Sequence, residues 1–257
     1  MQQLFLETSN GLMALLVEKS PKYAGFWVSS LCHSANKGLP DNELTPLKER
    51  VDLVEEIRRL TTKPIIVDVD TFGQIEHISF YTKWFEAAGA YAIIIEDKKY
   101  PKENSLLEKG NHKLEDIDVF CQKIKKAKEN VKEMKIFTRL ESLIAERSIF
   151  DALVRADAYV QAGADGIMIH SKKKVSADEV MEFAKNFRIK YPNIPLIAVP
   201  TTYRLPAEHP FNIIIEANHL TRASLKAMQN YIDGKEVELA SVEDIFNLVG
   251  KDDNRRT

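Results

Sequence analysis

The stretch Tyr91-Ala92-Ile93-Ile94-Ile95-Glu96-Asp97-Lys98 runs through β-branched apolar residues and stops abruptly on two acids and a cation. An apolar run without alternation is what a strand buried on both faces requires, as in a parallel sheet covered by helices. Seven other runs share this character: Leu4–Glu7, Gly25–Ser30, Pro64–Asp70, Lys135–Leu140, Gly166–His170, Pro195–Val199 and Asn212–Ala217. Helical patterns lie between them. In Leu47–Leu60, Val51, Leu53, Val54, Ile57 and Leu60 share a face, and Ala152–Ala162 and Val180–Phe187 repeat the theme. Strands alternating with helices imply parallel pairing through right-handed crossovers. Eight repeats in a chain of this length fit a closed (β/α)8 TIM-type barrel better than an open doubly wound sheet.

No linker rich in Gly, Ser or Pro divides the 257 residues, so a single domain spanning 1–257 is expected. After the last strand, Ala223–Ile232 and Ser241–Val249 predict two extra C-terminal helices, within about residues 221–249. Val242, Ile245, Phe246 and Val249 form an apolar stripe on the second that something must cover. A net charge of −2 and pI near 6.3 argue against a nucleic-acid partner. The acids interspersed from Lys98 to Lys135 make that Lys-rich segment a solvated face. No apolar run suits a membrane span, and no secretory signal opens the chain. Cys32 and Cys121 form neither a disulfide framework nor a zinc spacing, so a cytoplasmic location is expected. No Gly-x-Gly-x-x-Gly follows a strand, which removes the dinucleotide-binding reading.

Chemistry in such a barrel sits at the C-terminal strand ends. Those ends carry Glu7, Ser29, Asp68 with Asp70, Glu96, Arg139 with Glu141, His170, Thr201, and Glu216 with Asn218. Strand alternation places Asp68 and Asp70 on one side, and two converging carboxylates repel unless a cation or proton lies between them. With Glu96 they make an oxygen-only set suited to Mg²⁺; helix caps and surface acids are the alternative. Arg139 offers a planar donor fork for an anion or an ion pair to Glu141. His170 is a hydrogen-bond donor near that anion or a structural histidine. Cys32 lacks the partners of a nucleophile, and Cys121 belongs to the packed face of a helix with Ile117, Phe120 and Ile124.

The loop after Glu96-Asp97-Lys98 places Lys102, Asn104 and Ser105 at close spacing, and Glu-Asp-Lys, five residues, Asn-Ser resembles the signature of the phosphoenolpyruvate mutase family. Gly25–Leu31, Gly38–Glu43, Asp68-Val69-Asp70-Thr71, Arg139–Leu143, Gly163–Ser171, Val199–Tyr203 and Ala217-Asn218-His219 match further family segments in order. The resemblance implies a barrel of the isocitrate lyase superfamily with Mg²⁺ at Asp68, Asp70 and Glu96. It implies catalytic roles for Asp41, Lys102, Asn104, Ser105, Arg139 and His170, with Trp27, Ser29 and Ser30 also contacting substrate. It further implies a homodimer or homotetramer that swaps C-terminal helices, and a loop bearing Lys102, Asn104 and Ser105 that closes over the substrate.

The function implied is intramolecular phosphoryl transfer between phosphoenolpyruvate and phosphonopyruvate, forming the C–P bond of phosphonates, with a phosphonopyruvate decarboxylase drawing the product forward. Hydrolysis of phosphonopyruvate is the nearest rival. Relatives with that activity tend to carry Thr at the position of Asn104, so Asn104 favours the mutase. Carbon–carbon lyases of the superfamily generally carry a Cys in the gate loop, and none lies between Lys98 and His112. A barrel retained as a binding module, with a filled but inert metal site, is a fourth reading. Two departures bear on activity: Phe72 stands where family members usually have Gly and could press on the metal loop, and Glu7 precedes Asn10-Gly11 where a His is common. The chain starts almost at its first strand, so the helix that often precedes the barrel is expected to be missing or reduced.

Overall fold

The computed structural model describes residues 2–250; Met1 and residues 251–257 of the expected 1–257 domain lie outside the described residues. All eight expected strands form: β1 (Gln3–Glu7), β2 (Gly25–Val28), β3 (Ile65–Asp68), β4 (Ala92–Glu96), β5 (Lys135–Leu140), β6 (Gly166–Ile169), β7 (Leu196–Ala198) and β8 (Ile213–Glu216). They pair in parallel in sequence order, and β8 returns to β1 to close the barrel. Two apolar layers follow from the period-two alternation of strand side chains. Phe5, Trp27, Ile66, Ile94, Phe137, Met168, Ile197 and Ile215 fill the barrel. Their sequence neighbours, such as Phe26, Ile65, Ile93, Ile136 and Ile167, pack outward against the helices. Gly25 is required at the barrel floor, where a Cβ would fall 2.4 Å from both the Phe5 ring and the Pro64 carbonyl.

The alternation also places the polar groups. Two residues beyond Trp27, Ile66, Ile94, Phe137 and Met168 come Ser29, Asp68, Glu96, Arg139 and His170. The mouth is therefore the top layer of the barrel's own core.

Nine helices accompany the strands among the described residues: α1 (Gly11–Lys19), α2 (Ser30–Asn36), α3 (Leu47–Arg58), α4 (Ile78–Ala87), α5 (Ile117–Lys128), α6 (Ile149–Gln161), α7 (Asp178–Lys190), α8 (His219–Ile232) and α9 (Val242–Val249). Where they start before the apolar pattern does, a polar group satisfies the first free N–H groups. α6 begins at Ile149 rather than Ala152 because the Ser148 hydroxyl accepts the Asp151 N–H at 3.1 Å. α8 begins at His219 rather than Ala223, and Glu7 accepts from the Thr221 N–H at 3.0 Å and its hydroxyl at 2.8 Å. Glu7 thus pins the C-terminal segment to the first strand, and a carboxylate at a helix start complements its dipole.

α9, expected from the sequence over Ser241–Val249, is started by a capping box of Ser241 and Asp244. Its Val242, Ile245, Phe246 and Val249 are exposed, as are Leu225, Met228, Tyr231 and Ile232 of α8. None of the described helices is long and apolar enough to cross a membrane.

Phe72 corrects one expectation. Its ring does not press on the mouth: it is buried in the outer layer, with its centroid 6.4 Å from that of Phe85. What a glycine would supply is backbone freedom, since Phe72 sits at φ 61°, in the left-handed region. Relief of that strain is worth about 1–3 kcal/mol, whereas losing a buried phenyl costs about 3–5 kcal/mol. Phe72→Gly is therefore expected to lower stability by about 2 kcal/mol in urea denaturation. A variant as stable as the parent would show that the backbone strain outweighs the packing.

Candidate functional site

Asp68 ends β3 with its carboxylate on the mouth. Its Oδ2 accepts from the Ser30 hydroxyl at 3.0 Å and from Arg139 Nη1 at 2.9 Å, and its Oδ1 accepts the Asp70 N–H at 3.0 Å. Asp70 lies beyond the strand at φ 53°, so the expected alternation with Asp68 stops there. Its carboxylate meets Arg50 Nη1 at 2.8 Å and Lys102 Nζ at 3.1 Å. Burial works against ionisation, but Lys102 and Arg50 outweigh it and hold the Asp70 carboxyl well below the usual carboxylate range.

Arg139, one residue before the end of β5, lies between the acids. Nη2 contacts Glu96, Nη1 contacts Asp68, and Nε lies 2.7 Å from Glu141 Oε1. The ion-pair reading of Arg139 holds, with Asp68 and Glu96 joining Glu141 as partners, and the residue also lines the mouth. Burial disfavours its charge, but Asp68 and Glu141 raise its pKa further. Asp68, Asp70 and Glu96 do not close on one point: among the described residues, no three His, Cys, Asp or Glu side chains are grouped as a metal centre.

Glu141 is the hub of the next shell. Burial opposes its charge, yet Lys98, His170 and Arg139 hold it well below the carboxylate range. As an ionised carboxylate it can only accept, so His170 donates from Nδ1 at 2.9 Å, leaving Nε2 for another partner. Ser105 donates to Glu141 Oε2 at 2.6 Å.

The loop between β4 and α5 is tied across the mouth. Lys102 Nζ and Asn104 Nδ2 each donate to Asp41 Oδ2 at 2.6 Å, and the Lys102 N–H donates to Glu43 Oε2 at 2.7 Å. Asp70 and Asp41 raise the pKa of Lys102 against the opposing effect of burial, so it remains an ammonium. Beneath the loop is a cavity of about 50 Å³. Twelve of the residues singled out in the sequence line it: Trp27, Ser29, Ser30, Asp41, Asp68, Lys102, Asn104, Ser105, Arg139 and His170, with Thr201 and Asn218 from the other strand ends. Asp70 and Glu96 stand behind that wall. Ser29 also caps α2, accepting the Cys32 N–H at 3.3 Å.

Three charges that brace the site, Arg50 and Lys98 buried and Glu43 half-buried, were given no role in the sequence reading. Arg50, on α3, donates to the Asp68 carbonyl at 2.7 Å as well as to Asp70. Its signal was available, because Arg50 lies one and two turns from Val54 and Ile57 on the apolar face. Glu43, at φ 66°, accepts from the Thr71 hydroxyl at 2.7 Å and joins that loop to Lys102. Lys98 donates to Ser105 Oγ at 2.6 Å. Glu43 sits in a polar stretch with no pattern to separate it from surface residues, whereas Lys98 was visible as the last residue of the Glu-Asp-Lys signature but carried no role of its own.

A parallel (β/α)8 barrel with these segments at its strand tips is an enzyme of the isocitrate lyase superfamily. The family model described as phosphoenolpyruvate phosphomutase matches residues 4–234, and the chain belongs to that family. It is 34% identical to phosphoenolpyruvate phosphomutase of Tetrahymena pyriformis, over 96% of this chain and 87% of that protein. It is also 34% identical to phosphonopyruvate hydrolase of Variovorax sp. (strain Pal2), over 94% of this chain and 88% of that protein. A crystal structure of phosphonopyruvate hydrolase in complex with oxalate and Mg²⁺ superposes with a TM-score of 0.85 at 31% identity, covering 97% of this chain and 90% of the other.

Proposed function

We propose that this chain interconverts phosphoenolpyruvate and phosphonopyruvate by moving a phosphoryl group between the enolate oxygen and C3 of one pyruvate skeleton. The observation that carries this reading is the loop tied across the mouth by Lys102, Asn104 and Ser105, which leaves only about 50 Å³ beneath it. A loose, metaphosphate-like transfer needs little covalent help from protein, but it does need positioning and the exclusion of water.

Asp41 Oδ1 on the cavity wall and Glu96 Oε1 behind it are buried carboxylate oxygens without hydrogen-bond partners, and oxygen donors of this kind suit a divalent cation. Asp68 would hold Mg²⁺, with Asp70 and Glu96 behind it. The ion would supply positive charge to the pyruvate enolate. Ser29, Ser30 and Trp27 would orient the substrate carboxylate end. Arg139, His170, Asn104 and Ser105 would cradle the migrating phosphoryl group, and Asp41 would aim Lys102 and Asn104 at it.

Hydrolysis is the second reading, favoured by the 34% identity to a phosphonopyruvate hydrolase. Phosphorus NMR of wild-type enzyme with phosphonopyruvate and Mg²⁺ separates the two, with phosphoenolpyruvate as the expected product. Pyruvate and inorganic phosphate as main products would replace the mutase reading with the hydrolase. Asn104→Ala should cut mutase turnover by about a hundredfold and shift the residual product toward pyruvate and phosphate. Unchanged turnover and product ratio would remove Asn104 from the site.

The bare apolar faces of α8 and α9 support a homodimer or homotetramer in which a neighbouring subunit covers them. Two free cysteines suit a cytoplasmic setting. A decarboxylase acting on phosphonopyruvate would be its downstream partner.

A further inference from the structure

Lys98 stands at the root of the gate loop. Its backbone bridges to Leu114, and the Lys99 N–H donates to the Lys113 carbonyl at 2.9 Å, so the two ends of the loop form a short stem. From that stem the Lys98 side chain runs inward, with only 1% of its surface exposed. Its ammonium donates to the Glu103 carbonyl at 2.8 Å and to Ser105 Oγ at 2.6 Å, and lies 3.4 Å from Glu141 Oε2.

An ammonium has three donors, and all three directions are accounted for. A lysine buried merely to neutralise Glu141 would place the carboxylate closest. Here both shorter contacts go to the loop, and Ser105 then hands its own proton to Glu141. The segment from Glu103 to Ser105 is therefore strapped from within, while Lys102 and Asn104 are held from the opposite wall through Asp41. The second anchor uses groups that face the cavity. The Lys98 anchor does not line the cavity, so substrate can engage Lys102 and Asn104 while Lys98 keeps the loop down.

We propose that Lys98 is a positioning residue that latches the gate loop shut and fixes the Ser105 hydroxyl, thereby setting how much water reaches the phosphoryl group. The latch stands on the geometry alone; its effect on product rests on the phosphoryl-transfer reading above.

Lys98→Met keeps the stem's length and removes the donors. Limited proteolysis of the whole enzyme, with cuts mapped by mass spectrometry, should show cleavage within residues 102–111 about tenfold faster than in wild type, because local opening loses its charge-assisted bonds. Cleavage elsewhere should be unchanged. With phosphonopyruvate and Mg²⁺, the ratio of pyruvate plus phosphate to phosphoenolpyruvate should rise at least about threefold, and Lys98→Arg should recover part of it.

Wild-type cutting rates in a folded Lys98→Met protein overturn the latch, as does faster cutting spread over the whole chain. An unchanged product ratio alongside faster loop cutting overturns the effect on water while leaving the latch. Should Lys98→Met not fold, Ser105→Ala carries the test: it removes the loop's acceptor and should speed the same cut, and a wild-type rate there overturns the proposal. If wild type forms neither product, the phosphoryl-transfer reading fails and the proteolysis still decides the latch.

Discussion

Asp68→Ala is expected to lower turnover of phosphonopyruvate by at least roughly a thousandfold while the barrel stays folded, a loss of about 4 kcal/mol of transition-state stabilisation. The fold survives because Arg139 keeps Glu96 and Glu141, and because Asp68 is held by side-chain contacts at a strand tip rather than by core packing. The activity does not survive, because Asp68 is the one member of the proposed metal set that faces the cavity. The check is turnover across a Mg²⁺ titration, with circular dichroism to confirm the fold. Activity within tenfold of wild type at any Mg²⁺ level would move the metal elsewhere.

Arg50→Met is expected to have the largest effect on stability, about 3–5 kcal/mol and roughly 10 °C in melting temperature. The methionine fills most of the arginine's volume, so the cost is electrostatic. The Asp68 carbonyl loses its donor, and Asp70 keeps only Lys102 among its two cations. Asp70 is then a buried carboxylate with half its compensation, and the left-handed turn it occupies loses its brace. Urea denaturation provides the measurement. A change below about 1 kcal/mol would mean that Lys102 alone neutralises Asp70.

The barrel was legible because strands covered on both faces must be apolar throughout, and only short β-rich runs bounded by charge satisfy that. The strand-tip set Asp68, Glu96, Arg139 and His170 was legible for the same reason, since each ends such a run. Asp70 was placed on the cavity side by an alternation that ceases when the strand does, and the left-handed turn that redirects it has no sequence marker at an aspartate. Arg50 was hidden in plain view, as a charge on an otherwise apolar helix face. The ties of Lys102 and Asn104 to Asp41 join residues about sixty positions apart. Nothing local in either segment announces such a pairing. Glu7 was read as a strand-tip acid like the others, whereas the start of α8 claims it instead.

Because the mouth is the uppermost layer of the barrel's interior, inheritance of the site is bound to inheritance of the fold. Deleting one residue from β5 upstream of Phe137 would turn Leu140 inward and send Arg139 into the greasy layer beneath the helices. Such a lineage would lose its core along with its guanidinium, and the product would be cleared as misfolded chain rather than persist as a silent enzyme. Substitutions at the tips and length changes in the loops escape that penalty. New reactions on this scaffold are therefore expected to arise by exchanging tip residues and remodelling the gate, with register-shifting insertions and deletions inside the strands filtered out before selection on activity begins.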